Sequence, residues 1–213
     1  MPRLLPGLLA ILAALALSFW LEPQLPERVA THWGLDGQPD GWSSPLVAAF
    51  LLPGFMLLLA GIFQVLPRLD PLKRAYSEAG SPYWIIANVV LGFMAVLHGA
   101  VLGFALGWPI RMATLAPVGV GVLFVILGAL MHRMPPSWFM GIRTPWTLSS
   151  ESVWRKTHQL GGICFVVAGV LLAIAGWVRP EGMLVTLMIL AGVAAAVPVA
   201  YSYVAWRREG RGG

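Results

Sequence analysis

The chain has 213 residues, 58% of them hydrophobic and 11% charged, with a formal net charge of +5. Soluble domains carry about 25% charged residues, so this composition excludes a soluble globular protein and points to a membrane-integral chain. A pI near 10 does not make it a nucleic-acid binder, because the basic residues are spread between apolar runs instead of forming one patch.

Leu4–Leu21 is the first apolar run. It ends in Ser18-Phe19-Trp20-Leu21-Glu22-Pro23 with no small-x-small cleavage pattern, so it reads as a transmembrane helix and not as a signal peptide. Residues 22–45 form a polar loop. Asp36-Gly37 and Pro39-Asp40-Gly41 predict turns there, and Val29–Trp33 a short extended piece. His32, Asp36 and Asp40 offer an imidazole and two carboxylates, a donor set suited to Zn or another divalent metal that would activate water. Turn formation by the two aspartates, with His32-Trp33 packed as a lid, accounts for the same residues, and the loop offers no evident fourth ligand.

Leu46–Leu66 is the second predicted span, with a kink expected at Pro53-Gly54. A polar segment at 67–82 precedes the third, Tyr83–Trp108. That span carries Asn88, His98 and a Gly99/Gly103/Gly107 ridge expected to admit a neighbouring helix. An intramembrane His is a candidate proton carrier for a small transporter. No Asp, Glu, Lys or Arg lies within the spans to complete a relay, and a neutral His98 can equally bond a neighbouring helix. After a short connector at 109–114, Leu115–Met131 is the fourth span.

The longest polar stretch, 132–159, comes next. Pro145 disfavours a helical Thr144, so Gly141–Trp146 is expected to be extended or turned. Ser149 is a good N-cap, with Glu151 in the first turn, for an amphipathic helix. Val153, Trp154, Thr157, Leu160 and Gly161 fall on one face, with Arg155, Lys156 and Gln159 on the other. Trp138, Trp146 and Trp154 suit the headgroup level. His158 lies four residues after Trp154 and can stack on it. Leu160–Val178 is the fifth span, 179–182 a tight turn, and Met183–Trp206 the sixth span, interrupted by Pro198, before a basic tail. Each run is near the ~20 residues that cross a bilayer core.

The run Phe139-Met140-Gly141-Ile142-Arg143-Thr144-Pro145-Trp146-Thr147-Leu148-Ser149, then Val153-Trp154-Arg155-Lys156-Thr157-His158 and Gly161-Gly162, resembles the signature of the SdpI/YfhL family of bacterial membrane proteins. The 22–45 loop, with its Pro…His-Trp…Gly…Asp-Gly pattern, resembles the domain of unknown function that usually precedes that signature. It departs from the pattern at Gly34, where many members have Asn. The resemblance implies an immunity or receptor protein that binds a peptide toxin outside and a cytoplasmic regulator inside. Arg143, Trp146, Trp154, Arg155, Lys156 and His158 are the candidate docking surface for that regulator. A plain membrane anchor, with aromatics at the interface and cations on anionic lipid, accounts for them too.

With the N-terminus in the cytoplasm, eleven of the fourteen Lys and Arg fall in inner segments, and only Arg28, Arg111 and Arg179 in outer ones. The positive-inside rule then sets both termini and the signature loop in the cytoplasm, and the acidic 22–45 loop outside. The expectation is an all-α polytopic protein of the bacterial inner membrane, 1–213 forming a single membrane domain. It has six transmembrane helices and a short amphipathic cytoplasmic helix. No Gly-x-Ser-x-Gly, His-Glu-x-x-His, Cys-x-x-Cys or phosphate loop is present, so a metal-dependent enzyme would rest on the outer loop alone.

Overall fold

The structure, a computed structural model, describes residues 2–34, 36–73, 76, 81–178 and 183–210. In chain order the elements are α1 (Leu5–Leu21), β1 (Val29–Trp33), β2 (Pro39–Ser43), α2 (Pro45–Leu69), α3 (Pro82–Ala105), α4 (Met112–Met131), α5 (Pro145–Ser149), α6 (Glu151–Val178) and α7 (Met183–Glu209). Six of the helices are long and apolar enough to cross a membrane. The chain is a polytopic all-α membrane protein with one small β-hairpin at an end of the bundle. The expected turn at 179–182, and the charges of Arg74, Glu78 and Arg211, lie outside the described residues.

The helix starts follow from the sequence. Pro45, Pro82 and Pro145 each open a helix, where the missing N–H costs nothing. The Ser44 hydroxyl caps α2 by accepting from the Val47 N–H. Pro53 and Pro67 both lie inside α2. The outward faces carry Leu12, Leu51, Leu58, Ile163 and Met188, all well exposed, as lipid-facing helices require. Inside, α1, α2 and α3 pack around Ile11, Met56, Phe63, Tyr83 and Leu91. Helix α4 joins this group to α6 and α7.

The tightest contact is between α4 and α6. A Cβ at Gly121 would stand 2.6 Å from the Gly169 carbonyl oxygen, and one at Gly128 2.6 Å from that of Gly162. The converse substitutions meet the same carbonyls at 2.5 Å and 2.7 Å. The glycines are one heptad apart on each helix, so two antiparallel backbones touch along one seam. The ridge expected on α3 does not serve this way. Gly103 faces Trp108 and Ile110 of its own connector, and Gly107 lies beyond the helix at φ +79°. The reason is that α3 ends at Ala105, and the chain folds back over its last turn.

Two local expectations are corrected. Residues 39–41 form no second turn: Pro39–Ser43 pairs antiparallel with Val29–Trp33, with Val29 opposite Ser43 and Trp33 opposite Pro39. Only Asp36-Gly37 turns, with Gly37 at φ +75°. A bulge around His32 lets that side chain lie over Gly41, where a Cβ would stand 2.8 Å from His32 Cβ. At the signature, Thr144 is extended, as Pro145 requires, but Pro145-Trp146 already opens a turn of helix. Thr144 and Thr147 form a reciprocal capping box that favours this turn. The cap of α6 is accordingly Ser150, whose Oγ accepts from the Val153 N–H at 3.2 Å, and not Ser149. The amphipathic segment and the fifth span are one continuous helix, α6.

Candidate functional site

Three polar constellations stand out. At the hairpin end, Val29 and Ala30 are buried against the bundle and Trp33 meets Phe104 edge-on at 5.7 Å. The hairpin therefore lies as a lid over the helix ends. The His32 side chain points away from it, 71% exposed, with Nδ1 2.5 Å from Asp40 Oδ1. Asp36 Oδ1 accepts from the Gln38 N–H at 3.0 Å, completing the turn. The carboxylates of Asp36 and Asp40 approach each other over Gly34, where a Cβ would stand 3.1 Å and 2.9 Å from their oxygens. An Asn side chain there would have to displace one of them. Among the described residues no group of three His, Cys, Asp or Glu is placed to hold a metal ion.

Within the bundle, His98 is buried and its Nε2 lies 2.8 Å from Ser18 Oγ, which in turn reaches the Ala49 carbonyl at 2.6 Å. One polar contact thus joins α1, α2 and α3. Asn88 performs a related task nearer the helix start. Its Oδ1 accepts from the Gly7 N–H at 2.7 Å, and its Nδ2 donates to the Arg3 carbonyl at 2.8 Å. It satisfies an orphan donor in the first turn of α1.

The signature end is the most densely bonded part of the molecule. Trp154 and His158 stack at 4.0 Å with an interplanar angle of 21°, and both are buried. The Ile142 N–H donates to His158 Nε2 at 3.0 Å, so that nitrogen carries no proton. Nδ1 therefore carries it and donates to the Trp154 carbonyl at 2.9 Å. Gly141, at φ +104°, passes over this pair; a Cβ there would stand 2.5 Å from His158 Nε2. Thr144 reaches Ser202 of α7 at 3.1 Å, and Trp146 packs on Tyr203 of α7 at 5.0 Å. Arg143 donates to the Trp138 carbonyl at 2.7 Å. The candidate docking residues are thereby divided. Arg143, Arg155 and Lys156 are exposed and Trp146 half-buried, whereas Trp154 and His158 form the interior on which the loop rests.

One cluster here has no counterpart in the sequence reading. Asp70, one residue beyond α2 and 1% exposed, accepts from the Tyr76 hydroxyl. It accepts also from the Ser137 hydroxyl at 2.9 Å, the Trp138 N–H at 3.0 Å and the Leu72 N–H at 2.8 Å. Burial pushes the Asp70 carboxyl up, but these donors together hold it below the ordinary carboxylate value. Burial, reinforced by Asp70, pushes the Tyr76 hydroxyl up to about 12, so it stays a donor. Arg3 and Trp84 both donate to the Tyr76 carbonyl. One carboxylate therefore ties the segment after α2 to the signature loop. The available signal was a lone Asp at the very end of an apolar span.

Two family models match the chain. The SdpI/YfhL protein family matches residues 133–202, which run from the start of the signature loop through most of α7. The domain of unknown function DUF1648 matches residues 9–57, which cover α1, the hairpin and the first half of α2. Immunity protein SdpI of Bacillus subtilis (strain 168) is 25% identical over 186 residues, 87% of each chain. No solved structure matches. The matched segments are those that build the hairpin lid and the bonded signature cap, and over residues 133–202 the chain is similar to the SdpI/YfhL protein family.

Proposed function

We propose that this is an immunity protein of the cytoplasmic membrane, protecting its cell from a peptide toxin that engages the hairpin end from outside. The observation that carries this reading is the similarity to a protein named for immunity, along 87% of both chains. Two features of the hairpin support it. Its two strands leave their outer edges unpaired, which an extended peptide can join by backbone hydrogen bonds. Its face is polar and anchored, with Arg28 over Trp42 at 5.3 Å and Trp33 on Phe104. The excess of Lys and Arg in the segments at the signature end supports a cytoplasmic location for that end.

On the same reading, a cytoplasmic regulator meets the face formed by Arg143, Trp146, Arg155 and Lys156. The buried Trp154–His158 stack holds that face in place.

The test is survival. A toxin-sensitive bacterium expressing the chain is challenged with secreted peptide toxins of its source community, beside a variant with Trp33→Ala and Trp42→Ala. Protection by the wild type, reduced in a variant that reaches the membrane in equal amount, is the expected result. Wild-type cells as sensitive as empty-vector cells throughout would sink the reading. For the regulator, Arg155→Glu with Lys156→Glu is expected to abolish membrane recruitment while protection persists. Unchanged recruitment would remove that half of the proposal.

A further inference from the structure

The signature end holds a cavity of about 630 Å³. Lys73, from the segment after α2, His132 and Arg133, at the end of α4, and Arg155, in the first turns of α6, all line it. Glu151 is the one carboxylate among the lining residues. None of the three cations is ion-paired among the described residues; Arg133 instead donates Nε–H to His132 Nε2 at 3.3 Å. Trp154 closes the back wall, fixed by its own N–H to the Met134 carbonyl at 2.8 Å. Three solvated cations from three segments, facing one wall, make a site for an anion.

A second cavity of about 580 Å³ is also lined by His132. It follows the α4–α6 seam, past Gly128, Ala129, Gly162, Ile163, Val166 and Val167. It runs beside the close backbone contact of Gly128 and Gly162, where the helices touch without an intervening side chain of either glycine. A basic chamber at the helix ends and an apolar groove along membrane-spanning helices thus share His132 as a lining residue.

We propose that these two cavities together bind one anionic phospholipid, its phosphodiester among Lys73, Arg133 and Arg155 and an acyl chain along Gly128 and Gly162. A free phosphate fits only the first cavity. A zwitterionic lipid fits both but brings a cationic headgroup against three cations. Each Lys or Arg near a bilayer surface adds about 1 kcal/mol to the attraction of an anionic lipid. The site is independent of the toxin reading and of which leaflet the signature end meets.

The experiment uses the full chain in a neutral detergent, with bound lipid counted by native mass spectrometry during titration with phosphatidylglycerol or phosphatidylcholine. Wild type is expected to take one phosphatidylglycerol in clear preference to phosphatidylcholine. K73Q/R133Q/R155Q is expected to lose at least about ten-fold in phosphatidylglycerol affinity and to treat the two lipids alike. Ala129→Trp, on the exposed wall of the groove, is expected to weaken both lipids. Glu151→Gln is expected to bind phosphatidylglycerol more tightly, a gain that misfolding does not produce. Equal binding of the two lipids by wild type, or an unaltered triple variant that folds, would overturn the proposal. So would displacement of phosphatidylglycerol by millimolar inorganic phosphate together with unaltered lipid binding by Ala129→Trp, because the ligand would then be a free phosphate.

Discussion

Asp70 is a buried carboxylate satisfied by four donors, and its removal leaves two hydroxyls and two N–H groups facing a void. Asp70→Ala is expected to lose about 3 kcal/mol of stability, read as a lower denaturation midpoint in detergent. The sign of its pH dependence follows from its lowered pKa. The stabilisation is complete above the ordinary carboxylate value near 3.9, and is lost as pH falls through the lower folded value. Wild type and Asp70→Asn are therefore expected to converge in midpoint at strongly acid pH and to diverge on return to neutral. A constant difference across that range would show that the carboxylate's charge contributes nothing. His158 differs, because it accepts from a backbone N–H and is spent on structure. His158→Phe preserves the stack but strands the Ile142 N–H, for an expected loss of about 1–2 kcal/mol. The contrast explains what could be read from sequence at this scale. Trp154 and His158 are one helical turn apart, so their stacking follows from period alone. The partners of Asp70 lie as far as Trp138, and nothing in the chain's periodicity joins those positions.

Among the elements, the α4–α6 seam carries the sharpest expectation. Gly128→Leu must push the two backbones apart, whereas Gly99→Leu meets only the tip of Leu17, with Cβ at 3.5 Å. The first is expected to cost about 3 kcal/mol or more and the second less than half as much, measured by denaturation with sodium dodecyl sulfate. Similar losses for both would mean that the seam is no tighter than the rest of the bundle. The six spans were legible because each is a long apolar run. Which faces meet was not legible, since the four-residue spacing of Gly99, Gly103 and Gly107 suggests a seam, whereas the true one uses glycines seven residues apart. The second strand of the hairpin was hidden for another reason: Pro39, Asp40 and Gly41 are all turn formers, and only pairing with β1 holds them extended.

For the molecule as a whole, topology is the open test. In a Cys164→Ser background, Gln38→Cys lies in the hairpin turn and Lys156→Cys on the exposed face of α6. An impermeant maleimide is expected to label the first in intact cells and the second only after the membrane is opened. The reverse pattern would invert the orientation and place the signature cap outside. The two family segments, residues 9–57 and 133–202, are separate in sequence. Yet Asp70 lies between them, one residue beyond the helix in which the first ends, and the loop that opens the second supplies Ser137. A transfer of residues 133–202 alone into another membrane protein would carry the Ser137 and Trp138 donors without their carboxylate. The second segment therefore does not close its own cap: the carboxylate that its donors meet is supplied by the stretch between the two segments.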